Sequence, residues 1–285
     1  MRVRFWGVRG SIPAPGPATV RYGGNTPCVE IQAGEELIIV DAGSGIRELG
    51  LDMLKRAAGA PISGRLFIGH SHWDHIQGFP FFTPLYLPST RFQIYGMRGT
   101  TKPFQEVMAG QMNSTYFPVQ LKDLGSKPEF IELTAPIEAG PVKVSYHFLN
   151  HPGITIGFRF EHQGKVVSYI SDHEPYSTLN VKGEFSDNED ALVARFVAGS
   201  DLLICEAQYT VDEYKIKRGW GHSTFNSVLD LAQMAGVARV ALFHHDPLHS
   251  DDLLDRMLLE SAALVSSRKL TLECFAAREG QILEL

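Results

Sequence analysis

The chain has 285 residues, of which 44% are hydrophobic and 20% are charged, and its formal net charge is −6 at pH 7. This composition predicts a globular protein with a substantial core, and the negative balance excludes a protein that coats nucleic acid by bulk electrostatic attraction. Three cysteines, Cys28, Cys205 and Cys274, are too few and too scattered for a disulfide framework. Because no run approaches the ~20 apolar residues of a membrane span, we expect a cytoplasmic protein with no membrane partner.

The first part of the chain alternates strands with loops and one helix. A glycine- and proline-rich loop over residues 7–17 follows the first strand, and a binding role and a plain surface loop explain it equally well. A hairpin then places strands over residues 28–32 and 37–40. Asp41 comes directly after the second of these strands. It is predicted either to orient a metal-binding histidine or to cap a helix over residues 46–58.

The next apolar strand ends at a glycine and is followed by the sequence HSHWDH over residues 70–75, called the HSHWDH motif below. Side chains alternate along extended backbone, so His70 and His72 are expected to project to one side. Asp74 and His75 follow a bend and are expected to reach a second point a few ångströms away. A run of surface polar residues is the alternative, but these donors behind an apolar strand are typical of a metal site. They suit zinc first, with manganese or iron as competitors.

The middle of the chain carries fewer chemical signals. Residues 79–88 are rich in aromatic side chains and proline and cannot form a regular helix; their rings are expected to pack in a core or to line a pocket. A strand over residues 91–95 and a helix over residues 102–112 follow. Residues 142–148 alternate apolar and polar side chains, which predicts a half-buried strand with Phe148 on its apolar face.

The second half of the chain repeats one design, an apolar strand that ends at a residue able to bind a metal or a proton. These residues are His151, Asp172, Glu206 and His244. A sheet with one functional edge explains this recurrence better than a purely structural protein does.

Helices are predicted between these strands, over residues 189–198, 224–235 and 251–267. Residues 186–189 and Ser250 are the predicted amino-terminal caps of the first and third helices. No low-complexity linker interrupts the chain, so a single domain over residues 1–285 is expected.

The HSHWDH motif and the later residues, in this order, resemble the metallo-β-lactamase fold superfamily over nearly the whole chain. The resemblance implies an α/β fold, an αββα four-layer sandwich, with two divalent cations at one edge of its two sheets. The implied ligands are His70, His72 and His151 for the first metal and Asp74, His75 and His244 for the second, with Asp172 as the bridge. Asp41 matches an aspartate that the family uses to orient a ligand from behind. His245 is the rival of His244 for the last position.

Two further motifs, Cys205-Glu206-Ala207 and Gly221-His222-Ser223-Thr224, look like the glutamate and histidine motifs of the ribonuclease Z branch, whose members cleave phosphodiesters. The resemblance implies attack on phosphorus by a metal-bridging hydroxide, with His222 as the general acid. Glu206 would keep His222 oriented and charged, and Asp74 completes the implied catalytic set. The alternative is that His222 only caps the helix near Thr224.

The chain also departs from true ribonuclease Z. Those enzymes carry a protruding glycine-rich arm for tRNA, and here only twenty residues lie between His151 and Asp172, which leaves no room for it. Residues 5–11 and 22–28 instead resemble a group of bacterial superfamily proteins described as metal-dependent hydrolases. We therefore expect a small phosphodiester substrate, such as a cyclic nucleotide.

Other functions stay open at this point. They are a ribonuclease acting on RNA ends, a thioester hydrolase like glyoxalase II, and a metal-binding sensor with weak activity. His173 and Arg218 are the predicted substrate contacts, whereas His162 and His249 are expected at the surface. The metal identity and the oligomeric state, with a homodimer as one option, are not fixed by the sequence.

Overall fold

The computed structural model describes residues 1–180 and 183–285, and these form two compact units. Unit 1 comprises Met1–Pro13, Asn25–Ala135 and Arg278–Glu284, and unit 2 comprises Ala14–Gly24, Pro136–Ala277 and Leu285. Each unit contains one seven-stranded sheet. The prediction of a single domain over residues 1–285 stays a prediction.

The strands and helices are numbered in chain order. The strands are β1 (Arg2–Gly7), β2 (Cys28–Ala33), β3 (Glu36–Val40), β4 (Ser63–Phe67), β5 (Arg91–Gly96), β6 (Glu129–Glu132), β7 (Ile137–Ala139), β8 (Val142–Phe148), β9 (Ile156–His162), β10 (Lys165–Ile170), β11 (Leu202–Glu206), β12 (Arg239–Phe243), β13 (Glu273–Ala276) and β14 (Ile282–Glu284). The helices are α1 (Gly45–Ala57), α2 (Trp73–Ile76), α3 (Phe104–Gly110), α4 (Tyr176–Leu179), α5 (Glu184–Val197), α6 (Val211–Lys217), α7 (Phe225–Ala235) and α8 (Asp251–Ser267). None of the helices in the described residues has the length and apolar character needed to cross a membrane.

The sheet of unit 1 has the strand order β14-β1-β2-β3-β4-β5-β6. Neighbours from β14 to β3 are antiparallel, and β14 pairs with β1 so that Glu284 faces Arg2. Neighbours from β3 to β6 are parallel. The carboxyl ends of β3 and β4 therefore lie at the same edge of this sheet, where Asp41 and the HSHWDH motif follow.

Helix α1 covers part of the unit 1 core and matches the predicted helix closely. It buries Ile46, Leu49 and Met53 against the sheet. Its amino-terminal cap is Ser44, so the alternative role of Asp41 as the cap is wrong.

Residues 79–88 of unit 1 form two short 3₁₀ turns, Phe79–Phe81 and Thr83–Tyr86, as expected where prolines remove backbone donors. Phe79 and Phe82 are buried in the core of the unit, whereas Phe81 is exposed. The expectation that rings of this segment pack in a core is therefore confirmed for Phe79 and Phe82.

The sheet of unit 2 has the order β13-β12-β11-β10-β9-β8-β7. Strands β10 to β13 are parallel neighbours, so the carboxyl ends of β10, β11 and β12 lie at one edge. Asp172, Glu206 and His244 stand at or just after these ends. Helices α5, α7 and α8 contribute buried apolar side chains to the core of this unit.

Of the two predicted helix caps in unit 2, one is confirmed and one is wrong. Ser250 caps α8 through its side chain, as predicted, and Thr224 caps α7. Helix α5 begins at Glu184 with Gly183 as its cap, so residues 186–189 lie inside the helix and the predicted cap position is wrong; Ser186 contributes to the cap only by accepting the backbone N–H of Gly183 at 3.1 Å. Phe148 lies on the expected face of β8, where its ring contacts Tyr146, and it is 54% exposed.

Candidate metal centre

Asp41 connects the end of β3 to the HSHWDH motif. Its Oδ1 accepts a hydrogen bond from the backbone N–H of Gly69 at 2.8 Å, and its Oδ2 lies 2.7 Å from Nδ1 of His75. Both side chains are fully buried, and Asp41 has a φ of 61°, in the left-handed region that a residue other than glycine rarely adopts. The carboxylate therefore fixes the His75 ring and leaves Nε2 as the atom able to bind a metal.

The HSHWDH motif bends at the point the sequence predicts. The chain leaves β4 after Phe67, before the motif, and enters α2 at Trp73, within it. The rings of His70 and His72 meet edge to face with centroids 4.6 Å apart, and each offers a ligand atom within 4.8 Å of the other. His75 Nε2 lies 3.3 Å from Asp74 Oδ2. Unit 1 thus presents two pairs of potential ligands.

The loop over residues 7–17 takes part in this half of the site. Ser11, with a φ of 65°, donates its backbone N–H to Asp74 Oδ2 at 2.7 Å. Arg9 is fully buried, so a plain surface loop is the wrong description for that residue. The loop therefore helps to orient Asp74 within unit 1.

In unit 2, Asp172 directs each carboxylate oxygen at a different histidine. Its Oδ2 lies 3.6 Å from His151 Nε2, and its Oδ1 lies 3.2 Å from His244 Nε2. All three side chains are almost completely buried. A carboxylate whose two oxygens serve two imidazoles is the arrangement expected of a ligand shared by two cations. The donors of this unit therefore fit the metals that the superfamily implies.

The second nitrogen of each of these imidazoles is held by the chain. His151 Nδ1 lies 2.8 Å from the carbonyl oxygen of Gly221, and His244 Nδ1 lies 2.9 Å from Oε1 of Gln208. Because both partners are acceptors, each Nδ1 carries the proton and each Nε2 keeps a lone pair for a metal.

His244 and His245, the two candidates for the last ligand position, have different partners in the structure. His245 Nε2 donates to the carbonyl oxygen of Ala277 at 2.9 Å, and its ring contacts Tyr22. Of the two neighbours, only His244 has its Nε2 beside Asp172.

Glu206 and His222 lie beside Asp172 and His244 in unit 2. Glu206 Oε1 is 3.7 Å from His222 Nδ1, and it accepts the backbone N–H of Ser223 at 2.5 Å. Burial raises the pKa of Glu206, and the contact with His222 opposes that rise. The His222 ring stacks on His244 with centroids 5.3 Å apart. Thr224 caps α7, so the alternative in which His222 is only a helix cap is wrong.

The predicted substrate contacts occupy different environments. His173 is buried, its Nδ1 accepts the backbone N–H of Asn150 at 3.1 Å, and burial lowers the pKa of His173 to about 4. Its imidazole is thus neutral near pH 7 and engaged with backbone. Arg218 is exposed and donates to the carbonyl oxygen of Leu179 at 2.5 Å.

His162 and His249 are both buried, so the expectation that they lie at the surface is wrong. A carboxylate partner explains the burial of His249, whose Nε2 lies 2.9 Å from Glu213 Oε1. The ring of His162 reaches the carbonyl oxygen of Pro141 at 3.3 Å.

Sequence reasoning missed two residues that hydrogen-bond to the site, Gln208 and Glu174. Gln208 holds His244, as described above. The Glu174 carboxylate accepts the backbone N–H groups of Gly219 and Gly221, which precede His222. The only sequence signal for Glu174 is its place two residues after Asp172, at the end of a strand.

Comparisons with known proteins agree with this geometry. A family model described as a beta-lactamase superfamily domain matches residues 37–245. The ribonuclease Z of Bradyrhizobium sp. (strain ORS 278) is 24% identical to the chain over an alignment 289 residues long. The alignment covers 87% of this chain and 90% of the relative.

Two solved structures align along the whole chain. The metallo-beta-lactamase fold protein YhfI from Bacillus subtilis has a TM-score of 0.67 at 18% identity and covers 100% of this chain and 98% of that one. A diphosphatase from the PhnP family has a TM-score of 0.65 at 18% identity, and the alignment covers 100% of this chain and 97% of that one. At such identities the likeness shows the fold, and the predicted α/β fold of the metallo-β-lactamase type is confirmed.

Proposed function

Because the chain belongs to the beta-lactamase superfamily, we propose that it hydrolyses a small phosphodiester, such as a cyclic nucleotide. The broader class, a metal-dependent hydrolase, follows from the matched family and the ribonuclease Z relatives. One observation carries the choice of phosphodiester: Glu206 and His222 lie together beside Asp172 and His244. Hydrolysis of a diester needs a proton for a poor leaving oxygen, and a buried imidazole next to a carboxylate can hold one.

The proposed ligands are those that the superfamily resemblance assigns. They are His70, His72 and His151 for one cation, Asp74, His75 and His244 for the other, and Asp172 for both. Within unit 2 the assignment is supported by the two oxygens of Asp172 and by the Nδ1 bonds of its histidines. Two divalent cations, Zn²⁺ first with Mn²⁺ or Fe as alternatives, would supply Lewis acidity and a water of lowered pKa.

The remaining steps belong to residues of the chain. His222 turns Nδ1 toward Glu206, which leaves Nε2 as the atom that gives its proton to the leaving oxygen. The carboxylate of Glu206 favours the charged imidazolium, and the backbone N–H of Ser223 keeps that carboxylate in place. Asp74, whose Oδ2 accepts the backbone N–H of Ser11, is the third residue of the proposed catalytic set.

RNA ends are the second candidate substrate, and the ribonuclease Z relatives favour it. The absence of the tRNA arm between His151 and Asp172 argues for the smaller diester. We also propose a cytoplasmic location, which the three free cysteines support.

A substrate panel tests the proposal on protein that has been loaded with Zn²⁺, Mn²⁺ or Fe²⁺ and analysed for metal content. The panel contains a chromogenic bis-aryl phosphate, cyclic mono- and dinucleotides, an RNA with a 3′ extension and a thioester. We expect the highest kcat/KM on a cyclic nucleotide. A preference for RNA would select the second candidate, and a preference for the thioester would exclude phosphoryl transfer as the main activity.

A further inference from the structure

Glu174 links the loops that follow two strands of unit 2. Its side chain is buried, with the residue only 1% exposed. Its backbone N–H donates to the carbonyl oxygen of Asn150 at 2.8 Å, and its own carbonyl oxygen accepts Nδ2 of Asn150 at 2.7 Å. These two bonds join the segment that carries Asp172 to the segment that carries His151.

The carboxylate of Glu174 reaches a third segment. Its Oε1 accepts the backbone N–H of Gly219, its Oε2 accepts that of Gly221, both at 2.9 Å, and Oε1 also accepts the hydroxyl of Tyr214 at 2.5 Å. Gly219 and Gly221 have φ values of 86° and 87°, a conformation that residues with a side chain rarely adopt. Glycine adopts such φ values without steric strain but is also free to leave them, and the bonds to the Glu174 carboxylate restrict that freedom.

Residues 219–221 lie next to His151, a proposed metal ligand, and directly before His222, the proposed proton donor. The carbonyl oxygen of Gly221 accepts His151 Nδ1, and a Cβ atom at position 221 would overlap that nitrogen. The next residue is His222, whose ring lies against His151 with centroids 5.1 Å apart. The placement of His222 therefore depends on residues 219–221, and their conformation depends on Glu174.

We propose that Glu174 is a positioning residue for His222: it holds residues 219–221 so that the imidazole stays aligned for proton donation. This inference rests on the proposed function of His222. Glu174 touches none of the reacting groups, so its effect is expected on proton transfer more than on substrate binding. Its bonds to backbone N–H groups are charge-assisted, and a neutral amide cannot replace both, since glutamine has only one acceptor oxygen.

Glu174→Gln is the test variant, and Asp190→Asn is its matched control. Asp190 also accepts two backbone N–H groups, those of Tyr176 at 2.8 Å and Ser177 at 3.0 Å. It therefore repeats the chemistry of Glu174 in a segment that carries no proposed catalytic group.

The first measurement is hydrogen exchange, which is independent of activity. In metal-loaded protein, Glu174→Gln should speed amide exchange in residues 217–224 by roughly tenfold or more, as expected when a segment gains local opening. Asp190→Asn should speed exchange at residues 176–178 and leave residues 217–224 as in the wild type. Unchanged exchange at residues 217–224 in Glu174→Gln would refute the inference, whatever the substrate.

The second measurement is kcat on diesters that differ only in the leaving group. Glu174→Gln should lose about 10- to 100-fold in kcat with a poorly acidic phenol or alcohol, and less than ~3-fold with 2,4-dinitrophenol, which needs no protonation to leave. KM should stay as in the wild type, and kcat is compared on samples of equal metal content, because Gly221 also contacts the proposed ligand His151. An equal loss for both leaving groups would indicate a merely structural role.

A milder variant keeps the test decisive if Glu174→Gln does not fold. Tyr214→Phe removes one donor to the carboxylate and should raise exchange in residues 217–224 by a smaller factor; no change there would count against the inference. If the wild type itself cleaves no diester, the proposed function fails, and the exchange result still decides whether Glu174 holds the segment.

Discussion

Asp41 Oδ2 lies 2.7 Å from Nδ1 of His75, and both side chains are fully buried. This contact occupies Nδ1 of His75 and leaves Nε2 beside Asp74. The second carboxylate oxygen is also used, since it accepts the N–H of Gly69 at the start of the HSHWDH motif. One aspartate therefore orients a proposed ligand and anchors the loop that carries it.

Asp41→Asn is expected to weaken metal binding by roughly 10- to 100-fold, the range found for partners that orient metal-bound histidines. The amide has one acceptor oxygen for two tasks, so either Gly69 or His75 loses its partner. Metal titration followed by a competing chelator measures the change. Asp187→Asn, on the exposed side of α5, is the control and should bind metal as the wild type does. Equal affinity in both variants would mean that Asp41 has only a structural task.

His244→Ala and His245→Ala form a matched pair for the last ligand. His244 has its Nε2 beside Asp172, so its alanine variant should lose metal, and about one ion per chain should remain in a two-metal site. His245 bonds the carbonyl oxygen of Ala277, so its variant should keep both ions and lose about 1–3 kcal/mol of unfolding free energy for the buried acceptor left unpaired. Metal analysis and denaturant unfolding separate the two outcomes, and the reverse pattern would exchange the two assignments.

His222→Ala should lower kcat on phosphodiesters by at least ~10²-fold, as expected for the removal of a general acid, while metal content stays near that of the wild type. His162→Ala is the control, because His162 is also a buried imidazole of unit 2 but bonds only a carbonyl oxygen among the contacts described above. Steady-state kinetics on one diester with metal analysis of each sample decide the matter. Normal turnover by His222→Ala would remove this residue from the proposed proton transfer.

Gly221→Ala should disturb the site more than Gly199→Ala does. Both glycines have positive φ, at 87° and 65°, but a Cβ at Gly221 meets His151 Nδ1 whereas a Cβ at Gly199 meets nothing within 4 Å. The control therefore measures conformational strain alone, of order 1 kcal/mol. We expect the same loss plus weaker metal binding for Gly221→Ala, measured by unfolding and metal titration. Equal results for the two variants would show that the close approach to His151 has no effect.

The HSHWDH motif and the residues at strand ends were predictable because local signals mark them. Each follows an apolar strand directly, and parallel strands bring their carboxyl ends to one edge, as Asp172 and His244 show. Glu174 was not predictable in this way. Its carboxylate acts on backbone N–H groups 45 and 47 residues later in the chain, and nothing in the sequence around Glu174 specifies those partners.

The choice between His244 and His245 was likewise outside the reach of the sequence. Both follow the same strand, and the order of the residues alone favoured the first. In the structure His244 adopts a φ of 57°, and this turn of the backbone sends neighbouring imidazoles toward different partners. The start of α5 was predicted too late in the chain. The prediction relied on a polar side chain as the cap, whereas the extended residue Gly183 occupies the cap position.

The pairing of β14 with β1 has a consequence for how the chain is made. β1 precedes every strand of unit 2 in chain order, and its partner β14 follows them all. Until β14 emerges, one side of β1 has its backbone N–H and C=O groups unpaired, and such a strand can accept a foreign segment. This side of β1 is therefore open to mispairing from the synthesis of β1 until that of β14, a period that includes the synthesis of every strand of unit 2.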